Sequence, residues 1–82
     1  MPDLPRIYFD TNERDDSGPD AYTLSIFGAQ EDIQRLGDSI RPGMRVLLYM
    51  TGELEVEATL EYNRQYKHWI GHADMNTLRY LE

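Results

Sequence analysis

A chain of 82 residues holds one domain and is too short for two; its folded surface of roughly 5,000 Å² admits one partner interface of ~800 Å², or two at most. With 40% hydrophobic residues, 11% of the chain being aromatic, it can build a core, which excludes global disorder. Fifteen acidic residues against eight basic ones give a net charge of −7, which argues against general nucleic-acid binding, and the lack of cysteine excludes disulfides, thiolate zinc sites and thiol catalysis.

Short apolar runs of period two dominate the chain, the mark of half-buried strands. In RIYF, Ile7 and Phe9 share one face while Arg6 and Tyr8 take the other. The polar run DTNERDDSGPD, broken by Ser17-Gly18-Pro19, reads as a long exposed loop over Asp10–Asp20. AYTLSIF alternates Tyr22, Leu24 and Ile26 and is expected to pair back on the first strand. The period changes at Gly28. In GAQEDIQRLG, Ile33 and Leu36 lie three apart, acids occupy what reads as the first turn, and Arg35 comes late. Gly37 stands where a C-terminal cap belongs, so the run predicts one helix of two or three turns that depends on docking. RPGM then leads into MRVLLYM, ELEVEATLEYN and YKHWIGHA, three strands in succession. MNTLRYL closes the chain as one tight turn and a short strand.

Two hairpin registers follow from matching faces. A three-residue loop Met50-Thr51-Gly52, with Gly52 in a left-handed position, sets Leu48 opposite Leu54, Val46 opposite Val56, Met44 opposite Ala58 and Arg45 opposite Glu57. A four-residue loop from Asn63 to Tyr66 sets Leu60 opposite Trp69 and Ala58 opposite Gly71. It also places Glu61 across from His68 and Glu57 across from His72. The glutamates at 53, 55, 57 and 61 then form the solvent face of the long strand.

The last forty residues resemble small SH3-like barrels in the order of their parts. A PGMRVLLY strand enters, a long strand follows a tight turn, a strand bearing Trp69 comes next, and the DMNT turn leads into LRYL. The resemblance implies a mainly β domain spanning residues 1–82, with one short helix and a small antiparallel SH3-like barrel; an OB-like barrel is the alternative. The aromatic ligand motifs of peptide-binding SH3 domains do not carry over, because Trp69 is single and the closing turn lacks proline.

Candidate chemistry is sparse. His68 and His72 stand four residues apart, ~13 Å along a strand and too far to share one ion. In the Asp10–Asp20 loop, Asp10 and Asn12 match the first two ligands of a calcium loop. Arg14, Asp15 and Ala21 then stand where that loop needs a ligand, a glycine and a glutamate. A loose cation site from Asp15, Asp16 and Asp20 would make the chain a small enzyme or metal-dependent accessory, which is the second functional expectation. Ser17, Ser25 and Ser39 lie in no nucleophile elbow, and carboxylates on an exposed strand lack the apolar pocket that separates an acid–base pair. The first expectation is therefore a protein without catalytic residues, cofactor or metal.

By alternation Tyr22, Tyr62 and Trp69 point inward, whereas Tyr8, Tyr49 and Tyr66 point outward. Tyrosine offers rigid, amphipathic contact area, which makes this outward trio the candidate partner-binding set. The expected function is a non-enzymatic protein-interaction module with a protein partner, no direct nucleic acid and no membrane. A third expectation, carried by charge alone, is an acidic decoy for a basic nucleic-acid-binding protein. MPDLPRIYFD has no apolar run of signal-peptide length, so a cytoplasmic location is expected. Exposed strand edges offer a route to a homo-oligomer.

Overall fold

The alternating runs become strands and the single run of longer period becomes a helix, in a computed structural model that describes residues 4–81. In chain order these are β1 (Arg6–Tyr8), β2 (Ala21–Thr23), α1 (Phe27–Leu36), β3 (Arg45–Met50), β4 (Leu54–Asn63), β5 (His68–Ala73) and β6 (Arg79–Tyr80). Single 3-10 turns lie at Gly37–Ser39 and Met75–Thr77. The chain is mainly β with one helix, and the order of elements over its last forty residues is the expected one.

One sheet runs β1-β3-β4-β5-β2, and β6 pairs with the start of β4. The end strands β1 and β2 do not pair with each other, so the sheet is open. This corrects the expected β1–β2 hairpin. β1 instead lies parallel to β3, Ile7 opposite Leu48, which the long intervening segment permits. β2 lies antiparallel to β5, Tyr22 opposite Gly71. The free edge of β2 is taken by the preceding loop: Arg14 bridges Tyr22, Asp15 N–H donates to Ala21 O, and Thr23 N–H donates to Glu13 O. That edge of β2 is therefore occupied by a local hairpin and not by β1.

Both hairpin registers are displaced by two residues from expectation. Met50 faces Leu54, Leu48 faces Val56 and Val46 faces Ala58. Across the next turn, Leu60 faces Gly71, Tyr62 faces Trp69 and Asn63 faces His68. The first slip arises because the turn is Met50–Glu53, closed by Glu53 N–H donating to Met50 O at 2.9 Å. The second arises because Asn63 ends the strand and its carboxamide accepts the Tyr66 N–H at 3.0 Å. A slip of two keeps every side chain on its face, which is why the inside–outside division holds while the partners change. Arg45 accordingly sits opposite Thr59 and reaches Glu57 diagonally, Nε to Oε1 at 3.1 Å.

Gly52 occupies the third position of that turn with φ 73°, a region L side chains rarely adopt. Nothing lies within 4 Å of where its Cβ would stand, so a side chain there meets backbone strain and no clash. Gly52→Val is expected to cost of order 1 kcal/mol or more in urea unfolding, and Thr51→Ala little. Equal costs would refute the turn assignment.

The core lies on one face of the sheet, where Ile7, Phe9, Tyr22, Leu24, Val46, Leu48, Val56, Ala58 and Leu60 are buried with Ala29 of α1. α1 starts at Phe27, one residue earlier than the sequence pattern suggests, so Glu31 and Asp32 fall in its second turn. Gly37 caps it at φ 54°, its N–H donating to Ile33 O. Ala29, Asp32, Ile33 and Leu36 form the stripe that faces the protein. α1 packs along β1, with Gly28 against the Tyr8 ring: a Cβ there would stand 2.8 Å from Tyr8 Cδ2.

Candidate partner-binding surface

β4 is ten residues long and β3 only six, so the far end of β4 runs past its neighbour. The β3–β4 ladder finishes where Gly43 N–H donates to Leu60 O and Leu60 N–H donates to Met44 O. The register would next bring Pro42 opposite Tyr62, and proline has no N–H to continue it. The Tyr62–Trp69 row therefore lies on the core face but beyond the core. Both residues were expected to be interior; Tyr62 is instead 38% exposed and Trp69 only partly buried. The two rings meet edge to face with centroids 5.1 Å apart.

Ile40 and Pro42 approach from the segment before β3, and Glu61 and Arg64 complete an open groove of about 490 Å³. Glu61 is held at the rim by His72, Nε2 to Oε1 at 2.6 Å. An aromatic pair with an apolar floor and flanking charges can seat an apolar side chain and pair its polar neighbours. The sequence signal for this groove was a pair of aromatics placed past the reach of the neighbouring strand, legible only once the register is known.

The outward tyrosines are not assembled into one surface. Tyr8 and Tyr49 sit together, half-buried, where α1 packs along β1 and Asp32 reaches both residues. Their rings pack edge to face at 5.7 Å, and the Arg6 guanidinium lies 4.7 Å from the centre of the Tyr49 ring. Tyr66 lies past the other end of β4, 65% exposed and stacked on His68.

Between α1 and the tyrosines lies a buried carboxylate that the sequence pattern did not single out. Asp32 Oδ2 accepts from Tyr8 N–H at 2.8 Å and from Tyr49 O–H at 3.0 Å, while Oδ1 accepts from Arg35. Its place in the buried stripe of α1 was the available signal. These three donors satisfy the buried carboxylate and fasten the helix to β1 and β3.

Burial, and then the hydrogen bond to Asp32, push the Tyr49 phenol above its ordinary value of 10.0. A folded value above the unfolded one means this contribution is whole below about pH 10 and is lost as pH rises through the folded value. The difference between the tyrosinate titrations of wild type and Tyr49→Phe should show one phenol ionising above pH 10. Tyr49→Phe should also flatten the alkaline fall in melting temperature. An identical fall in both proteins would contradict the Asp32 contact.

In the Asp10–Asp20 loop, Asp10 and Asp15 turn their carboxylates on nearby groups of the chain. Asp10 accepts from Asn12 N–H at 2.8 Å, and Asp15 accepts from Ser17 N–H at 2.9 Å and from the Thr23 hydroxyl at 3.3 Å. The Ser17 bonds, against an opposing effect of burial, hold the Asp15 carboxyl below its usual range. Among the described residues no three His, Asp or Glu side chains are grouped to hold a metal ion, and no helix is long and apolar enough to cross a membrane. His68 and His72 go separate ways, His68 toward Asp15 at 3.7 Å and His72 to Glu61.

The chain matches no protein-family model, no curated protein and no solved structure.

Proposed function

We propose that this chain is a non-enzymatic protein-interaction module whose binding face is the Tyr62–Trp69 groove. The observation that carries the proposal is the aromatic pair left uncovered where β4 outruns β3, with Ile40 and Pro42 forming its floor. Large rings held rigidly at a partly desolvated site are what interface hot spots are made of. The proposed occupant is an extended segment of a partner protein that carries an apolar anchor between basic residues: Glu61 and Arg64 offset each other at the rim, and the chain's net charge of −7 sets the sign. The order of strands over the last forty residues supports relating the domain to small SH3-like barrels, with a ligand groove of its own.

Trp69 is the single tryptophan and reports on its own surroundings. Titration with a leucine-centred peptide flanked by lysines should shift its emission saturably, and the same peptide flanked by glutamates should not. Tyr62→Ser should weaken the binding at least about tenfold, as loss of an aromatic anchor does. Silence toward both peptides, or an equal response to both, would sink the proposal. Binding that survives Tyr62→Ser but vanishes in salt would transfer the function to the acidic surface as a whole.

A further inference from the structure

Glu55 belongs to the glutamate row expected to face water, yet it is only 7% exposed. Two arginines from opposite ends of the chain explain this. Arg79 of β6 stands directly across from it in the ladder and donates to Oε1, while Arg6 of β1 approaches Oε2 at 3.9 Å. One buried carboxylate thus holds two guanidinium groups, and among the described residues one positive charge is left over at this spot.

Neither arginine exhausts its donors on Glu55. A guanidinium carries five N–H bonds, and the Arg6 contact is an ion pair too long for a hydrogen bond. Their side chains stay 56% and 71% exposed, Arg6 resting against the Tyr49 ring. Between them opens a cleft of about 320 Å³ walled by Leu4 and Leu47. Taken together, Arg6, Arg35, Arg45 and Arg79 are matched by Asp32, Glu55, Glu57 and Asp74 in ion pairs. The net charge of −7 is therefore carried by the rest of the chain.

We infer that the Arg6–Glu55–Arg79 cleft is a binding site for an organic carboxylate on an apolar stem, with those N–H groups of Arg6 and Arg79 that no described residue takes on the carboxylate and Leu4 and Leu47 on the stem. Glu55 is the positioning residue that aims both guanidinium groups. A planar fork of donors matches a carboxylate's two oxygens, and the leucine walls favour a stem over a bare inorganic anion. The site is separate from the Tyr62–Trp69 groove and does not depend on it.

The test is nitrogen-15 NMR of the full chain, including the arginine Nε–H signals, titrated with N-acetyl-leucine at constant ionic strength. Saturable shifts are expected at Arg6, Arg79, Leu47 and Glu55. N-acetyl-leucinamide, which lacks the charge, and inorganic phosphate, which lacks the stem, should each bind more weakly. Arg79→Gln should weaken N-acetyl-leucine binding at least about fivefold, through loss of a charge-assisted hydrogen bond, while signals remote from the cleft stay in place. Arg6→Gln, altering a side chain more than half exposed, serves as the second variant and should weaken it as well. Equal binding of the amide or of phosphate, or full affinity in both variants, would overturn the assignment.

Discussion

Leu48→Ala is expected to destabilise the domain by about 2–5 kcal/mol, the range for emptying a fully buried leucine site. A chain of this length is held by roughly 4–12 kcal/mol, so the loss is a large share of the whole. Leu48 has no exposed surface and lies between Ile7 of β1 and Val56 of β4 in the ladder. It also sits on Gly71 of β5, where a Cβ would stand 2.9 Å from Leu48 Cδ1. Gly71 is therefore a glycine because the opposing leucine occupies its side-chain space. Gly71→Ala should cost about 1–3 kcal/mol by overpacking. In the double variant the new methyl enters space that Leu48 has vacated, and the combined loss should fall short of the sum. Urea unfolding of the four proteins measures this directly, and strict additivity would mean that the two sites do not share the contact.

The second large effect is expected at Asp32. Asp32→Ala removes the acceptor for Tyr8 N–H and Tyr49 O–H together and should cost about 2–4 kcal/mol, because two donors lose their partner in a covered site. Asp32→Asn should recover most of this. Both tyrosine donors use one oxygen, Oδ2, which a carboxamide keeps, and the other oxygen serves Arg35, a largely exposed side chain free to swing into water. The ion pair to Arg35 is screened by that exposure and contributes little. If Asn were as damaging as Ala, the charge of Asp32 and not its acceptor geometry would hold α1 to the sheet.

The candidate groove was only half legible in the sequence. Alternation places Tyr62 and Trp69 on the core face, and the structure keeps them there. What alternation cannot convey is how far the neighbouring strand extends, and β3 stops short, leaving both rings open. Tyr8 and Tyr49 show the converse. Period two marks them as outward, but a helix docked along β1 makes them half-buried partners of Asp32. Glu55 was placed on the wet face by the same rule, and it is buried because Arg6 and Arg79 close over it from strands far away in the chain.

By itself, the amino-acid sequence determined the quantities that depend on near neighbours. Periods of two and of 3.6 set which residues become strands and which become the helix, and alternation set their faces. Glycine marked the turn at Gly52 and the helix cap at Gly37, because only a residue without Cβ sits easily at positive φ. Tertiary structure decided the pairing. β1 pairs with β3 in place of β2, whose edge is occupied by residues of the preceding loop. Both hairpins settled two residues from the simplest register, since a step of two leaves the faces unchanged and only turn hydrogen bonds can choose between such steps. The buried charges follow from the same cause: a carboxylate is tolerated inside only where distant donors converge on it, and no local pattern records that convergence.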